Sequence, residues 1–119
     1  MSSSKPSINW KNCLHRCNNN ETLAHDLLNM LLEELPASKT SILKSFNQQS
    51  LTQFKQHVHK LHGACACCGA DALQNLLADI EQHLDLEQTL PQPGVLSVLI
   101  DEIDRTTNSI KNSTYLNTN

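Results

Sequence analysis

The chain has few of the residues that build sheets and turns. Of its 119 residues, only Trp10, Phe46, Phe54 and Tyr115 are aromatic, three are glycine and four are proline. Sandwiches and barrels need frequent turns and strands rich in β-branched or aromatic side chains, so this shortage argues against an all-β fold. No run approaches the roughly 20 apolar residues of a membrane span. The start, Met1-Ser2-Ser3-Ser4-Lys5-Pro6, has no apolar segment to serve as a signal peptide. A basic excess is also missing. The formal net charge is −3, which argues against a general nucleic-acid binder. Residues 1–70 nevertheless carry seven Lys/Arg against four Asp/Glu, and residues 71–119 carry two against eight, so the first half could meet an acidic partner surface. What is abundant is Leu, Ala, Asn and Gln, in a length suited to one domain. Five cysteines stand beside six histidines, and three of each fall within residues 57–68. An odd cysteine count without a secretory leader fits reduced thiols and a cytoplasmic setting.

The apolar spacing is helical throughout. Residues 1–7 read as a flexible lead. Ile8, Trp10 and Leu14 predict a short first helix that ends before Asn18-Asn19-Asn20. Asn20 reads as an N-cap with Glu21 in the first turn, and Leu23, Leu27, Met30 or Leu31, and Leu35 follow. Pro36 is expected to end or kink that helix, with Ile42, Leu43 and Phe46 carrying a further helical stretch. Ser50, with Gln53 three residues on, is a capping-box pattern. It opens the strongest stripe in the chain, Leu51, Phe54, Val58, Leu61, Cys65 and Cys68. Gly69 breaks the helix or makes a tight corner. Leu73, Leu76, Leu77, Ile80 and Leu84 stripe another helix. Residues 85–94 read as a loop holding Pro91, Pro93 and Gly94. Leu96, Leu99, Ile103 and Ile110 mark a last helix, with Arg105 and Lys111 near its C-terminal end. Residues 112–119 read as a polar tail. The predicted fold is all-α, an antiparallel up-down four-helix bundle over residues 8–111 with a short extra N-terminal helix.

On a wheel of about 100° per residue, His59 lies roughly 130° from the centre of the 51–68 stripe. Lys55 and Gly63 are one turn before and after it, His62 sits beside them, and Ala66 continues the same face. Glycine inside a helix costs roughly 1 kcal/mol relative to alanine, so Gly63 suggests that something approaches the backbone there. Lys55, Lys60 and a protonated His62 would favour a phosphoryl group carried by the His59 ring. His57, roughly 70° off the stripe, reads as a boundary residue, and His15, His25 and His83 as surface or boundary residues.

The cysteines offer a competing reading. Cys65-x-x-Cys68 has zinc-ligand spacing that His62 or His59 could complete, or it could serve as a thiol redox module. Yet Cys65 and Cys68 continue the apolar stripe, and buried free cysteine packs as a small hydrophobe. Cys13 and Cys17 read the same way, and Cys67 points off the stripe as the exposed thiol.

The string Val58-His59-Lys60-Leu61-His62-Gly63, followed by Gly69-Ala70 and Leu73, resembles the signature of histidine phosphotransfer (HPt) domains. The stretch His59 to Leu84, Ile8-Asn9-Trp10 and the Leu-rich helix ending Glu33-Glu34-Leu35-Pro36 are similar to the HPt domains at the C-termini of hybrid sensor kinases of the BarA (GacS-like) type. The resemblance covers roughly residues 8–110. It implies a four-helix bundle in which His59 takes a phosphoryl group from the aspartyl-phosphate of a receiver domain and passes it to the Asp of a response regulator. Lys55, Gln56, Lys60, His62, Gly63 and Ala66 would form the receiver-docking face, and Gly69 the helix corner. Partners would be receiver domains, with no nucleic acid and no direct membrane contact, and the isolated domain would be a monomer. No cofactor is expected of the chain itself, because the receiver supplies Mg²⁺, and no metal ligands are assigned. The chain has no Gly-rich phosphate loop, so it is expected to be a phosphocarrier and not an ATP-dependent kinase. It would be cytoplasmic, or the cytoplasmic C-terminal domain of an inner-membrane sensor kinase. One departure from the pattern is His62, where many HPt domains carry Lys or Arg. An HPt-like adaptor that binds a receiver without carrying phosphate is a further alternative.

Overall fold

Side-chain caps and apolar spacing turn residues 8–112 into five helices. These are the residues that the computed structural model describes, and the expected lead 1–7 and the chain beyond Asn112 lie outside them. The helices are α1 (Trp10–Arg16), α2 (Glu21–Asn47), α3 (Leu51–Ala66), α4 (Asp71–Glu87) and α5 (Pro93–Lys111). Three starts are capped by a side-chain oxygen, which satisfies a backbone donor that the first turn leaves unpaired. Asn9 accepts from the Asn12 N–H at 3.0 Å, Asn20 from the Leu23 N–H at 3.0 Å and Ser50 from the Gln53 N–H at 3.3 Å. The start of α5 relies instead on Pro93 in its first turn, where the missing N–H would have had no partner in any case.

Three expectations need correction. Pro36 neither ends nor divides its helix, because α2 runs unbroken for 27 residues with Pro36 inside it. Pro36 is exposed, so its ring lies on the solvent side of the helix and takes no place in the core, and the helix continues with one backbone hydrogen bond fewer. The buried row of α2 is Ala24, Leu28, Leu31, Leu35, Ser38, Ile42 and Ser45, whereas Leu23 and Met30 are exposed. The two serines fit this row because each hydroxyl finds a local acceptor: Ser45 donates to the Ile42 carbonyl at 3.0 Å and Ser38 to Glu34 at 2.7 Å. The loop expected at 85–94 is also shorter. The helix α4 continues to Glu87 and ends on Gln88 in the left-handed conformation, and Pro93 and Gly94 belong to α5.

The four long helices close a ring in which each packs on its sequence neighbours and α5 returns to α2. The bundle measures 44 × 31 × 22 Å. Its core is almost wholly aliphatic, with Leu28, Leu35, Leu61, Leu77, Leu99 and Ile103 among its fully buried side chains. Among the described residues no helix is long and apolar enough to cross a membrane.

The short α1 is not a loose appendage. It closes over the α3–α4 corner, where the Asn9 N–H donates to the Gly69 carbonyl at 2.7 Å. The Asn9 and Asn12 side-chain amides donate to Asp71 at 3.2 and 3.4 Å, and the Arg16 guanidinium donates to the Ala66 carbonyl. Gly69 makes this closure feasible. Its φ is +71°, and a Cβ there would lie 2.5 Å from the Asn9 carbonyl oxygen, a backbone atom that cannot swing aside. A Gly69→Ala variant therefore loses roughly 2–3 kcal/mol of unfolding free energy, measured by urea denaturation. A loss below about 0.5 kcal/mol would contradict this account of the corner.

Candidate functional site

The helix α3 buries Phe54, Val58, Leu61 and Cys65, which turns its opposite face outward. His59, halfway along the helix, keeps 80% of its side chain exposed. Lys55, one turn earlier, leans toward α4 and pairs with Asp85 at 3.4 Å. Lys55, Gln56, His59, Glu81, Leu84 and Asp85 line a shallow depression of about 370 Å³ between α3 and α4. One turn after His59, Gly63 is exposed, and a Cβ built on it would meet nothing within 4 Å. Nothing inside the chain demands glycine there, so the space over the helix is open to an approaching surface.

The other expected docking residues divide. Lys60 points to the far flank of α3, 3.7 Å from Glu34 of α2, and does not join the depression. Ala66 is half-buried at the end of α3, with its carbonyl engaged by Arg16. Gly69 is buried and belongs to the corner under α1. His62 lies beside His59 with 28% of its side chain exposed. His57 is half-buried, and His15 and His83 are exposed. His25 stacks on Trp10, with ring centroids 5.1 Å apart.

The site also contains a residue that sequence reasoning misses. Glu81 of α4 sits between the two imidazoles. Its Oε2 is 2.7 Å from His59 Nδ1, and its Oε1 bonds His62 Nδ1. A carboxylate in such a pair is the acceptor, so each Nδ1 carries the proton it donates. The only sequence signal for Glu81 is its place one residue past Ile80 in the α4 stripe, at the border between buried and exposed faces. The resulting site is an exposed imidazole with one nitrogen anchored, a second imidazole behind it, a lysine–aspartate pair beside it and a bare stretch of backbone beyond it.

The cysteines occupy the other side of the helix. Cys65, Cys68, Cys13 and Cys17 are buried and Cys67 is exposed. Burial, reinforced by the neighbouring Cys17 thiol, pushes the Cys13 thiol up to about 11. Burial likewise raises Cys68 to about 12, helped by the nearby Cys13, and pushes Cys65 up strongly, helped by Cys68. Cys68 also donates to the Leu27 carbonyl at 3.3 Å. Zinc and redox chemistry both need an accessible thiolate, and burial disfavours that form at Cys13, Cys65 and Cys68. Among the described residues no three His, Cys, Asp or Glu side chains gather in a way that could hold a metal ion.

The fold is an all-α bundle with an exposed imidazole at the middle of one helix, and comparison with known proteins gives the family. A model of the Hpt domain family matches residues 26–109, and the chain belongs to that family of phosphotransfer modules. Over 101 residues it is 32% identical to the signal transduction histidine-protein kinase BarA of Shigella flexneri and to BarA of Escherichia coli (strain K12). The match takes in 82% of this chain but only 11% of each relative's length. The crystal structure of the HPT domain from a Shewanella sensor hybrid histidine kinase superposes with a TM-score of 0.81 at 32% identity, covering 88% of this chain and 91% of that one.

The thiol assignments give a measurable outcome. At pH 7–8 an alkylating reagent modifies one cysteine per folded chain, Cys67, as read by intact and peptide mass. Cys13 and Cys68 bind protons more tightly folded than unfolded, so their contribution to stability is complete below the ordinary thiol value of 9.0 and falls away as pH climbs toward about 11 and 12. Rapid labelling of Cys65 or Cys68 in the folded protein at pH 7.5 would refute their assignment to the core.

Proposed function

We propose that the domain is a phosphocarrier in which His59 accepts a phosphoryl group from a receiver-domain aspartyl-phosphate and yields it to the Asp of a response regulator. The carrying observation is the His59 ring itself. It is exposed at mid-helix and anchored through Nδ1 to Glu81, and its Nε2 has no hydrogen-bond partner among the described residues. In the forward step the Nε2 lone pair forms the N–P bond while the P–O bond to the receiver aspartate breaks, and that aspartate leaves as a carboxylate. In-line transfer needs the ring nitrogen aligned with phosphorus, so a ring already oriented supplies much of what the step requires. The acidic pocket and its Mg²⁺ belong to the receiver. Lys55 and Gln56 beside His59, and the open surface over Gly63, form the part of α3 that a receiver would meet. The receiver is the partner class this reading names. The chain would act as a cytoplasmic segment, alone or within a longer kinase, with residues 8–111 as the carrier domain.

The test is incubation with a phosphorylated cognate receiver. Acid-labile label appears on the wild type and is absent from His59→Gln. Label retained in that variant would place the acceptor elsewhere. A Gly63→Ala variant separates docking from folding. Alanine gains roughly 0.5–1 kcal/mol of helix stability relative to glycine, so its melting temperature rises. Its added methyl group stands where the receiver approaches, so transfer slows several-fold. A Gly63→Ala protein that is more stable and equally fast would remove Gly63 from the docking face.

A further inference from the structure

A second apolar surface lies away from His59. The helices α4 and α5 border a groove of about 260 Å³, lined by Leu76, Ile80, Pro91 and Val95 together with the acid Asp79 and the imidazole of His83. Leu86 follows His83 by three residues and Val98 follows Val95 by three, so each extends the groove wall on its own helix. Leu86 is 72% exposed and Val98 55% exposed, and with Val95 they are three of the five large apolar side chains exposed among the described residues. Single apolar residues scattered on a surface need no explanation, but a run of them beside a groove marks an interaction site. The volume falls short of the roughly 300–1,000 Å³ of a small-molecule pocket. It suits one or two anchoring side chains of a helix laid along the groove.

The charge around the groove selects the partner. Asp79 lines it, Glu87 ends α4, and Asp101 lies three residues beyond Val98 on α5. All three are exposed, and none of their side chains has an ion-pair or hydrogen-bond partner among the described residues. Glu102 is seven residues after Val95 and so on the same flank of α5. One of its oxygens accepts from Arg105 at 3.2 Å, and the other is buried with no hydrogen-bond partner. The other acids of α4 are engaged inside the chain: Asp71 by the amides of Asn9 and Asn12, Glu81 by two imidazoles and Asp85 by Lys55. An apolar groove with an unpaired acidic rim repels an anionic membrane surface or a nucleic acid and attracts a cation.

We propose that the α4–α5 groove is a docking surface for a cationic amphipathic helix of a partner protein. Apolar side chains of that helix enter between Leu76 and Val95, and its Lys or Arg side chains meet Asp79 and Asp101. The surface is distinct from the one a receiver would meet. His59 shares its depression with Glu81 and Asp85, on the flank of α4 that turns to α3, whereas Asp79 and His83 stand on the flank that turns to α5. A helix seated in the groove leaves His59 open.

The probe is a synthetic helix of five turns, about 18 residues, with leucine on one face and lysine on the other. Titrated into the ¹⁵N-labelled domain, it shifts the backbone amides of Leu76, Ile80, His83, Val95 and Val98 and leaves those of His59 and Gly63 in place. The same peptide with glutamate in every lysine position shifts none of them. Val95→Ser combined with Val98→Ser weakens the affinity about tenfold, as loss of central anchors does. Asp79→Asn combined with Asp101→Asn weakens it about threefold and flattens its salt dependence. These four positions are exposed, so circular dichroism melts of the variants stay close to wild type. Binding that survives the two serine substitutions, or equal binding of the glutamate peptide, overturns the proposal. Shifts centred on Leu27 and Met30 of α2 overturn it as well. Shifts at the groove that appear with protein concentration alone make a second copy of this chain the occupant and overturn it too. No step of this experiment uses phosphate, so its outcome is independent of the acceptor assignment at His59.

Discussion

Phe54, Val58, Leu61 and Cys65 of α3 are fully buried, and their burial against the flanking helices α2 and α4 sets the rotation of α3 about its own axis. With that rotation set, 100° per residue dictates every other direction along the helix. His59 follows a core valine and must point outward. Gly63 falls one turn later on the same line. Each buried aliphatic side chain on this row is worth about 1.5–3 kcal/mol, far more than the exposed contacts opposite. A change on the exposed face can therefore alter chemistry while leaving the bundle in place.

This division explains what is legible in the sequence. The α3 stripe is unambiguous because apolar residues recur at intervals of three and four with polar residues between them. That pattern alone separates the histidine face from the cysteine face. The caps at Asn20 and Ser50 are equally local, since side chain and donor lie three residues apart. The row in α2 is harder to read because apolar residues occupy more than one face of that helix. Leucine and methionine at 23 and 30 outrank alanine and serine on any hydrophobic scale, yet Ala24 and Ser38 are the residues that fit between close-packed helices. Pro36 misleads for a related reason. Its cost depends on whether the orphaned carbonyl meets water or core, and the sequence does not state which.

Glu81 is out of reach for a different reason. It lies 22 residues from His59 on a separate helix, and no spacing rule connects the two. Their contact depends on how α4 is rotated against α3, which Leu73, Leu77, Ile80 and Leu84 determine by their own burial. The family pattern identifies the reacting imidazole, and the packing of the next helix supplies the group that orients it. Lys60 shows the opposite case. It is adjacent to His59 in sequence, but the 100° step carries it toward α2 and Glu34.

The seal that α1 forms over the α3–α4 corner bears on where this domain can be cut. The family match begins at residue 26, already inside α2, so a fragment trimmed to that boundary would lose α1 entirely. The Gly69 carbonyl would lose its donor, Asp71 its two amide partners and Ala66 the Arg16 guanidinium. Cys68 would lose the neighbouring Cys13 and Cys17. Such a fragment would also lose Ile8, which is fully buried in the intact domain.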